Sequence, residues 1–145
     1  MPLDGVYEPS PSQWVRDQVE LYESSGGTRG TTMRGLPVVL VTSVGAKSGR
    51  LRKTPLMRVE HEGAYALVAS NGGSAKHPVW YHNLVASPRI VLRDATRQWD
   101  MRAGLVTGGE RQEWWDRAVR AFPDYADYQL KAEREIPLFV AEPIN

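Results

Sequence analysis

The chain has 145 residues, enough for one domain to bury about two-thirds of its unfolded surface without a disulfide or a structural metal. Lys and Arg total 18 against 17 Asp and Glu, a net charge of +1, which excludes a broad basic field for nucleic acid and leaves only a local cationic site. Cysteine is absent, removing thiol catalysis and thiolate metal sites; no apolar run nears the roughly 18 residues of a membrane span, and Met1 to Pro11 lacks signal-peptide regions, so a cytoplasmic protein is expected.

Residues 1–11, with Pro2, Gly5, Pro9 and Pro11, have no period and predict an irregular arm. Ser12 is a candidate N-cap for a short amphipathic helix in which Trp14, Gln18, Leu21 and Tyr22 recur at helical spacing until Gly26-Gly27 stops it. That helix covers one side of a core, or else acts as a lid or a peripheral membrane anchor. Residues 26–35, rich in Gly and Thr, predict a loop. Strands are expected at about 37–44, 51–60, 64–70, 88–94, 98–106 and 137–142, each short, bounded by turn residues and rich in Val, Ile, Leu or Thr.

Six such strands suit a small barrel. Between the third and fourth lies His77 to Leu84, read as a helix with Pro78 at its first position and Ser87-Pro88 as its stop. Gly108-Gly109 precedes a helix over 110–122, where Trp115, Ala118, Val119 and Phe122 repeat as a core face. The pair Trp114-Trp115 reads as packing, with an aromatic ligand platform as the alternative. After Pro123, residues 124–135 predict a last helix that sets Tyr125 and Tyr128 one turn apart on one face. Pro137 suits the start of a final strand or an edge. No repeat or linker divides the chain, so 1–145 is expected to be one domain.

The chemistry concentrates between Gly45 and Leu56. An apolar run, Val38 to Thr42, leads into Gly45-Ala46-Lys47-Ser48-Gly49, and Lys47, Arg50, Arg52 and Lys53 place four cations within seven residues. Arg52 and Lys53 fall on extended chain and point to opposite faces. Two readings fit this pattern: a hairpin with a solvated basic tip, or an anion cradle joined by Asn71-Gly72-Gly73 and by the N–H groups that open the following helix. The Gly-Lys-Ser order of a Walker motif is missing, so nucleotide hydrolysis is not expected. His61, His77 and His82 lack metal-ligand spacing, and no metal is expected. Ser70, Tyr125 and Tyr128 can give a hydrogen bond at neutral pH, but none has an evident base, which leaves nucleophilic catalysis unsupported. A cationic, glycine-lined site flanked by aromatics suits a bound redox cofactor.

Several ordered motifs resemble the deazaflavin-dependent nitroreductase family of actinobacteria. They are Gly45-x-Lys47-Ser48-Gly49-x-x-Arg52-x-x-Pro55-Leu56, Ala69-Ser70-Asn71-Gly72-Gly73, His77-Pro78-x-Trp80-Tyr81-x-Asn83-Leu84, Pro123-x-Tyr125-x-x-Tyr128-Gln129 and Ile136-Pro137. The resemblance spans about Leu36 to Pro143. It implies an α+β split β-barrel like that of FMN-binding proteins, and a reductase that uses coenzyme F420, an 8-hydroxy-5-deazaflavin with a phospholactyl-oligoglutamate tail.

Carried over by position, the resemblance implies that Lys47 and Arg52 hold the tail phosphate with backbone N–H groups near Ser48 and Gly49. It implies that Pro55 and Leu56 border the ring, that Ala69, Ser70, Asn71, Gly72 and Gly73 line it, and that Lys76, Trp80 and Asn83 stand close behind. Tyr125 and Tyr128 would close the substrate side, with Tyr125 or Ser70 hydrogen-bonding the acceptor. The hydride acceptor is expected to be a small electron-poor molecule: an activated alkene or enone, a quinone or a nitro compound. An FMN-dependent oxidase or reductase of the same fold and a non-catalytic F420-binding protein are the alternatives. Met57 and Phe122 replace tyrosines of the nitroimidazole-activating relative, and Asn71 replaces a lysine, so the resemblance does not carry that substrate over. Neither the physiological acceptor nor the oligomeric state is legible in the sequence.

Overall fold

In a computed structural model, residues 3–144 are described. Among these residues four helices surround a curled, mainly antiparallel sheet of eight strands. In chain order these are α1 (Gln13–Ser24), β1 (Thr32–Met33), β2 (Leu36–Val44), β3 (Leu51–Met57), β4 (Glu60–His61) and β5 (Ala64–Val68). Then follow a single 3-10 turn (Asn71–Gly73), α2 (Val79–Ala86), β6 (Arg89–Asp94), β7 (Arg97–Leu105), α3 (Gly108–Ala121), α4 (Asp124–Ala132) and β8 (Leu138–Pro143). The strands run in the order β1-β2-β6-β7-β8-β5-β4, with β3 also paired to β2. The expected α+β split barrel is therefore the fold.

The sheet has two apolar faces, which is why β2, β5 and β8 read as continuous hydrophobic runs rather than alternating ones. On β2, Val38 and Leu40 join a core with Val19 and Tyr22 of α1, Trp114 and Ala118 of α3, and Tyr125 of α4. Val39 and Val41 join the opposite core with Leu67, Leu92, Met101 and Phe139, closed by Trp80 and Leu84 of α2. Each face buries side chains from a different set of helices.

Several expectations need correction. Eight strands replace six: the predicted 51–60 strand stops at Met57, Glu60–His61 pairs separately with β5, and Thr32–Met33 in the predicted loop pairs with β2. Residues 1 and 2 of the expected arm lie outside the described residues; the rest is irregular but docked, because Tyr7 bridges Leu51 in parallel, Glu8 N–H donates to the Leu51 carbonyl and Leu51 N–H to the Val6 carbonyl, each at 2.9 Å. On α1 the buried residues are Val19 and Tyr22, while Trp14 is exposed, so the core-facing stripe is rotated from the one its large aromatics suggest.

On α3, Trp114 and Ala118 are buried, whereas Trp115 and Val119 pack at the margin. Pro78 stands one position before α2 as its N-cap, with extended ψ of 155°, not inside the helix. Helix α4 ends at Ala132, three residues earlier than expected, because Glu133 takes a left-handed conformation at φ 55°. That early stop turns the following residue back onto the sheet's loops.

Candidate functional site

A cleft of about 400 Å³ lies where segments distant in sequence meet. Thr54, Pro55, Leu56 and Met57 of β3 form one wall, and Val68, Ser70, Asn71 and Gly72 form another. Pro78 and Trp80 close the back, Phe122, Tyr125 and Tyr128 the far side, and Trp14, Val15, Met33 and Arg34 the mouth. Its size and mostly apolar lining with a few polar groups are those of a small-molecule site. A larger depression of about 680 Å³ along β7 and β8 is lined by Arg102 to Val106 and Glu142 to Ile144, and gathers none of the candidate residues.

Backbone conformation explains the Ser70–Gly73 wall. Asn71 and Gly72 both have positive φ, 48° and 64°, and an added Cβ at Gly72 would meet nothing within 4 Å, so that stretch of backbone is open to the cleft. Gly73 is different. It is buried with φ 83°, and an added Cβ would stand 3.1 Å from the Tyr128 carbonyl, so this glycine lets the loop pack against α4. The Asn71 side chain is turned onto its own loop, where Nδ2 donates to the Lys76 carbonyl at 3.1 Å.

Tyr125 is 5 % exposed, and its hydroxyl makes no hydrogen bond among the described residues although it borders the cleft. Burial, then the neighbouring Tyr128, pushes its pKa above the usual 10.0, so the phenol keeps its proton as a donor at neutral pH. Its ring is fixed edge-on against Phe122 at 4.9 Å between centroids, and Tyr128 stands 6.3 Å away. Arg34 forms an ion pair with Asp124 of α4 and lies over the Phe122 ring at 5.7 Å. The mouth thus has a cation held on its α4 side.

The basic turn sits apart from this cleft. Alternation along β3 puts Arg52 on the face of Leu56, while Lys53 faces α1 and pairs with Glu23 at 2.6 Å. Arg52 pairs with Glu8 of the arm at 3.0 Å, and Lys47 and Ser48 are exposed in the turn. The turn's backbone is partly committed: Gly49 N–H donates to the Gly45 carbonyl, Gly45 N–H to the Arg50 carbonyl, and Ala46 N–H to Asn83 Oδ1 at 2.9 Å.

The structure therefore divides the expected residues into three groups. Pro55, Leu56, Ser70, Asn71, Gly72, Trp80, Tyr125 and Tyr128 meet at the cleft. Lys47, Ser48, Gly49 and Arg52 stand at the turn. Ala69, Gly73 and Lys76 line neither, and Asn83, buried on α2, clamps the turn to that helix. Trp14, Val15, Met33 and Arg34 were not expected. No local signal marks them, since they reach the cleft only when α1 and the loop after it fold over β3. Among the described residues no group of three or more His, Asp or Glu could hold a metal ion.

The antiparallel split barrel with an apolar cleft and a cationic turn beside it is an architecture that this chain shares with solved split-barrel reductases. The sequence model of the F420H(2)-dependent quinone reductase family matches residues 14–143, and the chain belongs to that family. An F420H(2)-dependent quinone reductase of Mycobacterium tuberculosis is 30% identical over 132 residues, 88% of this chain and 89% of the relative. A solved F420-H2 dependent reductase, FDR-A, is 50% identical, with a TM-score of 0.70 over 73% of this chain and 94% of its own. A structure described as a domain-swapped dimer is 48% identical, with a TM-score of 0.73 over 92% of this chain and all (100%) of its own. The chain is an F420-dependent reductase, as its motifs implied. None of its helices is long and apolar enough, among the described residues, to cross a membrane.

Proposed function

We propose that the cleft binds the deazaflavin ring of F420 between the Pro55-Leu56 wall and the Ser70–Gly72 wall, and that Lys47 and Arg52 take the tail phosphate. The residues fit this group. An open glycine backbone and a flat apolar wall suit a planar ring system, and Arg52 shares the strand face of Leu56, so a ligand leaving the cleft along β3 meets a cation. A planar guanidinium pairs two phosphate oxygens where an ammonium offers one point charge. When bound, the reduced cofactor supplies a hydride from C5 of its ring.

The protein's part is positioning and electrostatics. The Tyr125 hydroxyl carries this reading: it belongs to a buried side chain that lines the cleft, has no hydrogen-bond partner among the described residues and is open to the cleft, poised to donate to a ligand oxygen. A donor there stabilises negative charge developing on a quinone-type acceptor's carbonyl oxygen as hydride arrives, while a solvent proton completes the hydroquinone. Met33 and Phe122 add apolar surface to the same space. The finer reading of α1, contact with a lipid surface, is supported by Trp14, 58 % exposed at the mouth, and Leu21, 36 % exposed. Co-sedimentation with anionic vesicles tests it, and recovery in the supernatant at low salt overturns it.

The test of function is anaerobic mixing of the protein with reduced F420 and a quinone. Cofactor reoxidation that depends on both protein and quinone is expected. Binding without turnover for any quinone, enone or nitro compound would leave a non-catalytic F420-binding protein. Tighter binding of FMN than of F420 in a competition titration would move the assignment to an FMN enzyme.

A further inference from the structure

Arg134 lies just beyond α4, where the left-handed Glu133 turns the chain back across the 69–77 segment. Its Nε donates to the Ser74 carbonyl at 3.0 Å. Its Nη2 lies 3.1 Å from the Ser70 carbonyl, 3.2 Å from that of Lys76 and 3.3 Å from that of Ala69, and Nη1 is 3.0 Å from His77 Nδ1. One side chain thus gathers four backbone carbonyls and an imidazole. Only a guanidinium offers N–H donors in a planar fork broad enough for this set.

The charge at this position has no carboxylate within ion-pair distance among the described residues, so the carbonyl dipoles are its compensation. Burial lowers the Arg134 pKa, yet a guanidinium remains charged at neutral pH. Burial and then the Arg134 charge hold His77 below the usual imidazole value, and because a guanidinium can only donate, Nδ1 is the acceptor in this contact. Gln129 of α4 locks the arginine's own backbone: Nε2 donates to the Arg134 carbonyl at 2.6 Å and Oε1 accepts from Ile136 N–H at 3.0 Å. The Tyr125 and Tyr128 wall is therefore joined to the Ser70–Gly72 wall by this side chain as well as by the close packing of Gly73 on the Tyr128 backbone.

We infer that Arg134 is a positioning residue, which holds the Ser70–Gly72 wall in register against the α4 wall that Gly73 touches and thereby sets the affinity of the cleft for the cofactor ring, without touching the ring. The inference rests on the proposed reading of the cleft as the deazaflavin site. A loop held by five contacts to one group loses its register when that group is removed, and a displacement of about 1 Å is enough to spoil a preorganised site. Neither a lysine, with three donors on one nitrogen, nor a glutamine reproduces the fork.

The experiment titrates oxidised F420 into wild-type, Arg134→Gln and Arg134→Lys proteins by fluorescence. Amide hydrogen exchange and melting temperature are measured on the cofactor-free proteins. Expected are a Kd raised about tenfold or more in Arg134→Gln and at least about threefold in Arg134→Lys. Faster exchange at Gly73 and Ser74, whose N–H groups close the turn onto Ser70 and Asn71, is expected alongside unchanged protection in β2 and β6. A Kd within about twofold of wild type would overturn the inference, and a lower melting temperature beside it would leave Arg134 a staple of the fold. If Arg134→Gln does not fold, Arg134→Lys decides by the same criterion. Failure of the wild-type protein to bind F420 would instead overturn the reading of the cleft, and the claim about affinity with it.

Discussion

Arg52 Nη1 stands 3.0 Å from Glu8 Oε2, so the N-terminal arm holds the arginine that the family resemblance assigns to the tail phosphate. The arm is kept there by main-chain bonds to Leu51 and by Tyr7, whose ring lies 4.8 Å from the Lys53 ammonium. An ion pair this accessible is worth about 0–1 kcal/mol, whereas a charge-assisted phosphate contact is worth about 1.5–3 kcal/mol. On the proposed reading of the turn, phosphate should displace the carboxylate.

Two outcomes are expected from that competition. Changing Lys47 and Arg52 together to Ala should weaken F420 binding by more than about tenfold, with little change in the melting temperature of the cofactor-free protein. Glu8→Gln should tighten binding by about two- to fivefold, since it removes the competitor and keeps the arm's backbone bonds. Equal affinities in all three proteins, measured by fluorescence titration, would return the basic turn to a solvated hairpin tip.

Tyr125→Phe keeps the packing against Phe122 and removes only the donor. Turnover should fall about 10–100-fold, with cofactor Kd little changed. Because burial raises the phenol's pKa above 10.0, Tyr125 stays protonated through the neutral and mildly alkaline range. The relative loss in Tyr125→Phe should then be constant from about pH 7 to pH 9.5, and a loss that shrinks with rising pH in that window would show the phenol ionising there. Tyr128→Phe should cost less, since Tyr128 is only partly buried at the cleft's edge.

Tyr22 should matter for stability alone. Its fully buried hydroxyl accepts the Ala95 N–H at 2.7 Å and lies 3.2 Å from the Val38 and Arg93 carbonyls, tying α1 to the sheet. Tyr22→Phe strands the Ala95 donor and should lower unfolding free energy by about 1–3 kcal/mol in denaturant titrations, with kcat unchanged.

The two glycines that end α1 should respond differently. At Gly27, φ is 83° and an added Cβ would fall 1.8 Å from the Ala95 carbonyl oxygen, so Gly27→Ala must push α1 off the β6–β7 turn. A loss above about 3 kcal/mol is expected. At Gly26, φ is 67° with open space around it, and Gly26→Ala should cost only about 1 kcal/mol of backbone strain. Thermal melts of the two variants distinguish close approach from conformation.

The sequence by itself determined the six longer strands and the order of the motifs, because β-branched runs such as Val38 to Val41 and turn glycines act locally, whereas the two-residue β1 and β4 exist only through their pairing partners. It also determined the cofactor class, since Lys47, Arg52, Pro55 and Ser70 to Gly73 recur at family spacing. Tertiary structure alone decided which of those residues meet. Asn83 falls within a cofactor motif, yet its Oδ1 serves the Ala46 N–H, a partner 37 positions away. Trp14 is the largest apolar residue of α1 and would be expected inside, but the helix buries Val19 and Tyr22 and leaves the indole at the cleft mouth. Arg134 looks like an ordinary basic residue near a helix end. Its role depends on Glu133 breaking α4 early and on a loop some 60 positions upstream offering its carbonyls, and no local pattern encodes a contact of that range.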